Sequence, residues 1–310
     1  MTSYRNALPQ LQGRQFLTDS GLETTLVFHD GIDLPCFAAF HLLQDSRGRA
    51  ILRSYFERYI DMARAHGRGV VLEAPTWRAN PDWGARLGYD AAALAQANRS
   101  AIAMLQELRI AHQAVPVVIS GNLGPRGDGY RVDARMSVDQ ARAYHAQQIE
   151  VFALTEADLV SAFTLNYPQE AAGIALAARD AAMPVVISFT VETDGRLPCA
   201  DALGEAIEQV DAQTDGYVAY YMINCAHPTH FRRVLEEGGD WRQRIGGLRA
   251  NASRRSHAEL DESTELDTGD PVQLAAEYAE LRALLPRLTV LGGCCGTDHR
   301  HVEAIAAACA

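Results

Sequence analysis

The chain has 310 residues, 48% of them hydrophobic, and a formal net charge of −11. That is enough apolar material for one large core in a single domain spanning 1–310. The acidic balance, with Lys and Arg scattered rather than clustered, excludes a nucleic-acid groove or an anionic membrane surface as partner. No apolar run approaches the ~20 residues of a membrane helix, and residues 1–15 lack a hydrophobic signal core. Six cysteines are too few for a disulfide scaffold. A cytoplasmic protein with reduced thiols is expected.

Along the chain, short β-branched runs alternate with longer alanine-rich amphipathic ones. Phe16–Asp19 predicts a first strand. Ile51–Ala65 predicts a helix, with Ile51, Leu52, Tyr55, Phe56, Tyr59 and Met62 at helical spacing. Four further strand–helix pairs follow: Val70–Glu73 with Ala91–His112, Val115–Ser120 with Val138–Leu154, Leu159–Phe163 with Gln169–Ala182, and Val185–Thr190 with Asp201–Ala212. Tyr217–Cys225 precedes a shorter helix from Thr229. Ile245–Asn251 precedes a long polar segment, Ala252–Asp270, and a helix over Val272–Leu285. Leu288–Gly293 and His299–Ala308 close the series. About eight such units predict an α/β protein, a single (β/α)8 TIM barrel. A doubly wound sheet would serve the same alternation, but this many regular units favours closure. Nearly continuous apolar strands such as Pro116–Ser120 suit a parallel sheet buried on both faces.

In such a barrel, chemistry gathers where strands end. Asp19, Glu73 with Thr76, Asn122, Thr190, Asn224 with Cys225, Asn251, and Cys294 with Cys295 all fall there. Adjacent strand residues point to opposite faces, so Cys294 and Cys295 cannot both face one ion from a regular strand. Gly292, Gly293 and Gly296 relieve that constraint, because glycine tolerates backbone angles closed to other residues. Cys225 closes another apolar run. Three thiolates from two strand ends suit a zinc ion with an open fourth position. Singly, these cysteines read as inert core thiols or a vicinal disulfide; the combination points to a metal. Cys36, Cys199 and Cys309 lack such partners.

LTDSGLETTL at 17–26, INCAHP at 223–228 and GGCCGTDHRHVEAI at 292–305 together resemble the homocysteine S-methyltransferase family. That family includes betaine- and S-methylmethionine-dependent enzymes and the homocysteine module of cobalamin methionine synthase. SGNLGP at 120–125 and SFT at 188–190 look like family strand ends. The resemblance spans nearly the whole chain and implies a Zn2+ ion on Cys225, Cys294 and Cys295. It implies methyl transfer from an onium donor (S-methylmethionine, S-adenosylmethionine or a betaine) to a thiol, with homocysteine the leading acceptor and methionine the product. Asp19 and Gly21 match the residues that hold the acceptor's amino-acid end, although Ser20 replaces a glycine. Thr76 and Trp77 match a pair near the substrate. Nothing resembles a cobalamin or folate module, and self-association is left undecided.

The implied chemistry suits the ligand set. Sulfur attacks as the thiolate, and a free thiol is mostly protonated at neutral pH. Three cysteinates make a zinc site formally about −1 and electron-rich, whereas histidine and carboxylate ligands leave the ion more electrophilic.

One departure stands out. Phe163-Thr164 occupies the place of the family's fourth-strand Glu-Thr, whose carboxylate pairs with the homocysteine ammonium. Either Glu23, Glu73 or Glu192 substitutes, or the acceptor is a different thiol or selenol. Two further alternatives are a zinc-binding relative without transfer activity and a thiol-redox protein using Cys294 and Cys295, the latter with no nearby Cys-x-x-Cys to support it. Arg78, beside Trp77, reads either as a contact for a ligand with an extra anionic group or as a solvated surface arginine, the latter slightly favoured. Asn224 and Asn251 read as hydrogen-bond supports, and His227 as a neighbour of the metal ligands. His299 and His301 read as capping or solvent-facing. The 252–270 segment is either a lid or a surface excursion.

Overall fold

Eight parallel strands close on themselves in the computed structural model, which describes residues 4–132 and 134–310. They are β1 Phe16–Leu17, β2 Gly69–Glu73, β3 Val117–Leu123, β4 Leu159–Leu165, β5 Val185–Phe189, β6 Tyr220–Asn224, β7 Ile245–Ala250 and β8 Val290–Gly293. Each pairs with the next, and β8 returns to β1 with Phe16 opposite Val290 and Leu17 opposite Leu291. The surrounding helices are α1 Ser46–Ala65, α2 Ala91–Ala111, α3 Val138–Ala153, α4 Pro168–Asp180, α5 Leu203–Thr214, α6 Pro228–Glu237, α7 Pro271–Arg282 and α8 His299–Ala308. The α/β barrel expected from the alternation is therefore the fold.

Alternation along each strand divides the apolar residues into two layers. One set packs outward against the helices, with Leu17, Leu72, Ile119, Ile187 and Leu291 among its buried members. The other fills the barrel interior: Phe16, Val71, Val118, Leu159, Phe163, Val186, Tyr220, Met222 and Val290. Leu8 joins the inner set. The barrel is thus a packed plug, and the room for a ligand lies above it, at the carboxyl ends of the strands.

The structure refines several boundaries. β1 ends at Leu17, although Thr18 still donates to the Leu291 carbonyl (2.8 Å) and Gly293 to the Asp19 carbonyl (3.0 Å). β6 begins at Tyr220 rather than Tyr217. Short helical segments at Leu22–Thr24, Ala39–Gln44, Pro81–Arg86 and His257–Asp261 carry too few residues for a periodic signal. Local caps set two of them: Asn80 accepts from the Trp83 amide, and Ser256 and Glu259 form a capping box. Among the described residues, no helix is long and apolar enough to cross a membrane.

Candidate active site

The strand ends surround a cavity of about 400 Å³, within the ~300–1,000 Å³ usual for small-molecule sites. Its floor holds Cys225, Cys294 and Cys295, whose sulfurs all lie within 4.8 Å of one another. Cys225 and Cys295 sulfurs are 3.9 Å apart; three sulfurs bound to one tetrahedral zinc would be separated by roughly 3.8 Å, from Zn–S bonds of about 2.3 Å. The donor set and its convergence therefore fit a zinc ion. The Cys225 and Cys294 sulfurs also approach each other closely, with Cα atoms 5.4 Å apart, a spacing that would permit a disulfide on oxidation. Disulfide and metal site are competing states of the same sulfurs, because a ligand must be a thiolate.

The turn that brings the sulfurs together differs from the sequence expectation. Gly296 has the left-handed φ of +77°, but Gly292 and Gly293 do not; Cys225 does, at +53°. A non-glycine residue held there marks a backbone that its surroundings over-determine. Gly21 serves close approach: a Cβ on it would stand 2.6 Å from the Cys294 carbonyl oxygen. Asn224 ties the floor together. Its Oδ1 accepts from the Thr164 amide (2.9 Å) and Ser188 Oγ (2.6 Å), while its Nδ2 donates to Thr164 Oγ1 (2.9 Å) and approaches Cys294 Sγ at 3.9 Å.

Burial pushes the Cys295 thiol pKa up, so a cation beside it is what would favour its thiolate. Tyr130, in the loop after β3, places its hydroxyl 3.6 Å from Cys295 Sγ and stacks on His257 at 4.1 Å between ring centres. His257 is 2.6 Å from the Cys225 carbonyl through Nε2 and 3.1 Å from Glu192 through Nδ1. Neither Tyr130 nor His257 was legible as a site residue, since both lie in segments without strand or helix periodicity.

Of the predicted site residues, Asp19, Gly21, Trp77, Asn224 and the three cysteines line the cavity. Thr76 and Glu192 do not. Thr76 is buried and donates to the Asn122 carbonyl (2.7 Å), holding two strand ends together. Glu192 is engaged by His257. The histidines flanking the cysteines have structural partners: His227 caps α6 and His301 caps α8, while His230 meets the Arg254 carbonyl at 2.9 Å. Burial lowers the His227 pKa to about 4. The 252–270 segment lines the cavity through Ser253, Leu260, Asp261 and Asp267, so it forms part of the cavity wall.

The acids and bases of the pocket are unusual. Arg249 on β7 is buried and pairs with Asp19 at 2.5 Å, also donating to Thr18 Oγ1 (2.8 Å) and the Ser20 carbonyl (2.9 Å). Tyr55 donates to the other Asp19 oxygen at 3.1 Å. Burial alone would lower the Arg249 pKa, but Asp19 raises it on balance. Phe163 lies beneath, 5.1 Å from the guanidinium. Arg78 is 8% exposed, which overturns the reading of a surface arginine; it sits 4.1 Å from the Trp77 ring and 3.8 Å from that of Trp83. Desolvation lowers its pKa to about 10, leaving it charged at neutral pH.

Burial also pushes Glu23 and Glu73 up to about 7. Glu73 accepts a hydrogen bond from Ser161, which is linked to Ser120 at 2.8 Å. Its folded pKa stands above the ordinary 4.5, so the folded protein keeps a proton that the unfolded chain releases. Stability from this group is present below pH 4.5 and is lost as pH rises through about 7. Glu73→Gln is expected to reduce the fall in unfolding free energy between pH 5 and 8 by about 3 kcal/mol, measured by denaturant titration at each pH.

A closed parallel barrel with polar side chains and converging cysteines at its strand ends has the architecture and site position of a barrel enzyme. The chain belongs to the homocysteine S-methyltransferase family, whose description, Homocysteine S-methyltransferase, matches residues 16–309, and by that membership it is an S-methyltransferase. The fold is similar to crystal structures of the homocysteine methyltransferase MmuM from Escherichia coli. The oxidized form gives a TM-score of 0.75 at 22% identity, covering 97% of this chain and 99% of that one. The metallated form gives 0.74 at 20%, covering 98% and 99%. No curated protein matches the sequence.

Proposed function

We propose that this protein moves a methyl group from an onium donor to a thiol, homocysteine being the leading acceptor and methionine its product. The observation that carries the reading is the convergence of Cys225, Cys294 and Cys295 on one point of the cavity floor. Reduced, these residues would hold zinc. The ion supplies a ligand position at which a substrate thiol gives up its proton near neutral pH yet stays nucleophilic.

The chain's own residues do the rest. Asn224 and the left-handed turn at Cys225 fix the sulfurs. Tyr130 covers Cys295 and, with Trp77 and the 252–270 segment, excludes water from the reacting atoms. In the displacement a sulfur–methyl bond forms as the donor's onium–methyl bond breaks, and the bonding pair leaves with the donor, which becomes neutral at that atom. Alignment of the three atoms supplies the rate, because no proton moves in that step. Asp128, Asp261 and Asp267 beside aromatic Trp77 and Tyr130 suit a cationic donor.

A second reading keeps the chemistry with another thiol or selenol. It draws on the same floor, where Phe163 offers no carboxylate and Asp19 is already neutralised by Arg249. A donor-by-acceptor screen on reduced, zinc-loaded protein, read by mass spectrometry, tests both. Methionine formed from homocysteine and one onium donor is the expected result. In parallel, homocysteine titrated into cobalt-substituted protein is expected to produce a sulfur-to-metal charge-transfer band. No band at millimolar homocysteine would favour the second reading.

A further inference from the structure

The pocket contains two charged side chains that the family resemblance does not account for. Arg78 is buried, packed 4.1 and 3.8 Å from two indole rings, and among the described residues donates only to the Gly127 carbonyl, at 3.1 Å through Nη1. Its Nε is buried with no hydrogen-bond partner, and no carboxylate lies within ion-pair distance of it among the described residues. Asp128 acts on it most strongly, but from beyond pairing range, and its Oδ1 accepts the Tyr130 and Arg131 amides. Glu23 likewise lines the cavity and pairs with no basic side chain among the described residues. Each acts electrostatically on the other.

An unpaired cation and an unpaired carboxylate facing one cavity are costly in the free protein. Both become satisfied by a ligand carrying the opposite charges side by side. We propose that Arg78 and Glu23 clamp the zwitterionic head of an α-amino-acid thiol, Arg78 taking its carboxylate and Glu23 its ammonium. This rests on the thiol S-methyltransferase reading and identifies how the acceptor is chosen. The competing carboxylates are engaged: Asp19 with Arg249 and Tyr55, and Glu73 with Ser161. A guanidinium packed against two indole rings is restrained for two-point recognition of a carboxylate. Arg78, Glu23 and the three cysteines line the same cavity, so the clamp shares it with the sulfur triad, where an acceptor's thiol would sit.

The test uses reduced, cobalt-substituted full-length protein and three probes: homocysteine, 4-mercaptobutyrate without the ammonium, and 3-mercaptopropylamine without the carboxylate. Thiol binding is read from the charge-transfer band, with no donor present. Wild type is expected to prefer homocysteine over either analogue by about 10- to 100-fold. Arg78→Gln abolishes the preference over 3-mercaptopropylamine and leaves that over 4-mercaptobutyrate; Glu23→Gln does the reverse. Arg78→Lys, which keeps the charge, retains part of the preference if the glutamine variant does not fold. A wild type without preference, or variants that bind all three probes as wild type does, would overturn the clamp. So would an Arg78→Gln variant altered only in its KM for the donor. Wild-type protein that shows these preferences but transfers no methyl group would keep the clamp and sink the transferase reading.

Discussion

Serine in place of Cys225, Cys294 or Cys295 is expected to leave the protein with far less than one zinc per chain and to cut methyl transfer by about 10³-fold or more. All three sulfurs meet at one point, so each substitution removes a third of the protein's ligands rather than a peripheral contact. An alcohol is far harder to deprotonate than a thiol, and the loss of several kcal/mol of metal-derived stabilisation corresponds to about three decades or more in rate. Metal content by mass spectrometry and turnover on the same samples check it. The effect depends on redox state, since the Cys225 and Cys294 sulfurs lie close enough to be oxidised to a disulfide. Oxidised wild type should hold little zinc and recover about one equivalent after reduction, whereas Cys294→Ser should not recover. Retention of stoichiometric zinc in all three serine variants would remove the triad from the argument.

The fold was legible because its signal is distributed: the strands are short, mainly apolar runs, and most of the main helices show periodic burial. The metal candidates were legible for a different reason, since Cys294-Cys295 between glycines is a rare local pattern tied to a position, the last strand end. What the sequence could not show is pairing between distant residues. Asp19 is recognisable at the end of the first strand, but its partner Arg249 lies 230 positions away, in a strand whose other residues are apolar or glycine. Arg78 looks like a loop arginine until Trp77 and Trp83 are placed on either side of it. Tyr130 and His257 belong to loops after different strands and meet only when the barrel closes. Thr76 fell at the right strand end yet faces Asn122 rather than the cavity, a distinction of one residue in register.

The Asp19–Arg249 pair carries the second large effect. Both side chains are almost wholly buried, at 3% and 8% exposure, and the guanidinium also satisfies Thr18 and the Ser20 carbonyl. Replacing Arg249 with methionine removes a partner of similar length and leaves the Asp19 carboxylate in a dry site with Tyr55 and Thr18 as its remaining donors. Breaking a buried pair from one side typically costs about 3–5 kcal/mol, because the surviving charge is uncompensated. Arg249→Met should therefore lower unfolding free energy by about that amount, measured by denaturant titration at pH 7. The double variant Asp19→Asn with Arg249→Met should recover much of the loss, since neither charge then remains. This outcome bears on function as well as stability. If Asp19 is held by Arg249 rather than reserved for the acceptor's ammonium, Asp19→Asn in the double variant leaves homocysteine affinity within a few-fold of wild type. A large loss of affinity confined to that substitution would instead return Asp19 to the binding role that its family position implies, and would mean that the ion pair opens when the acceptor enters.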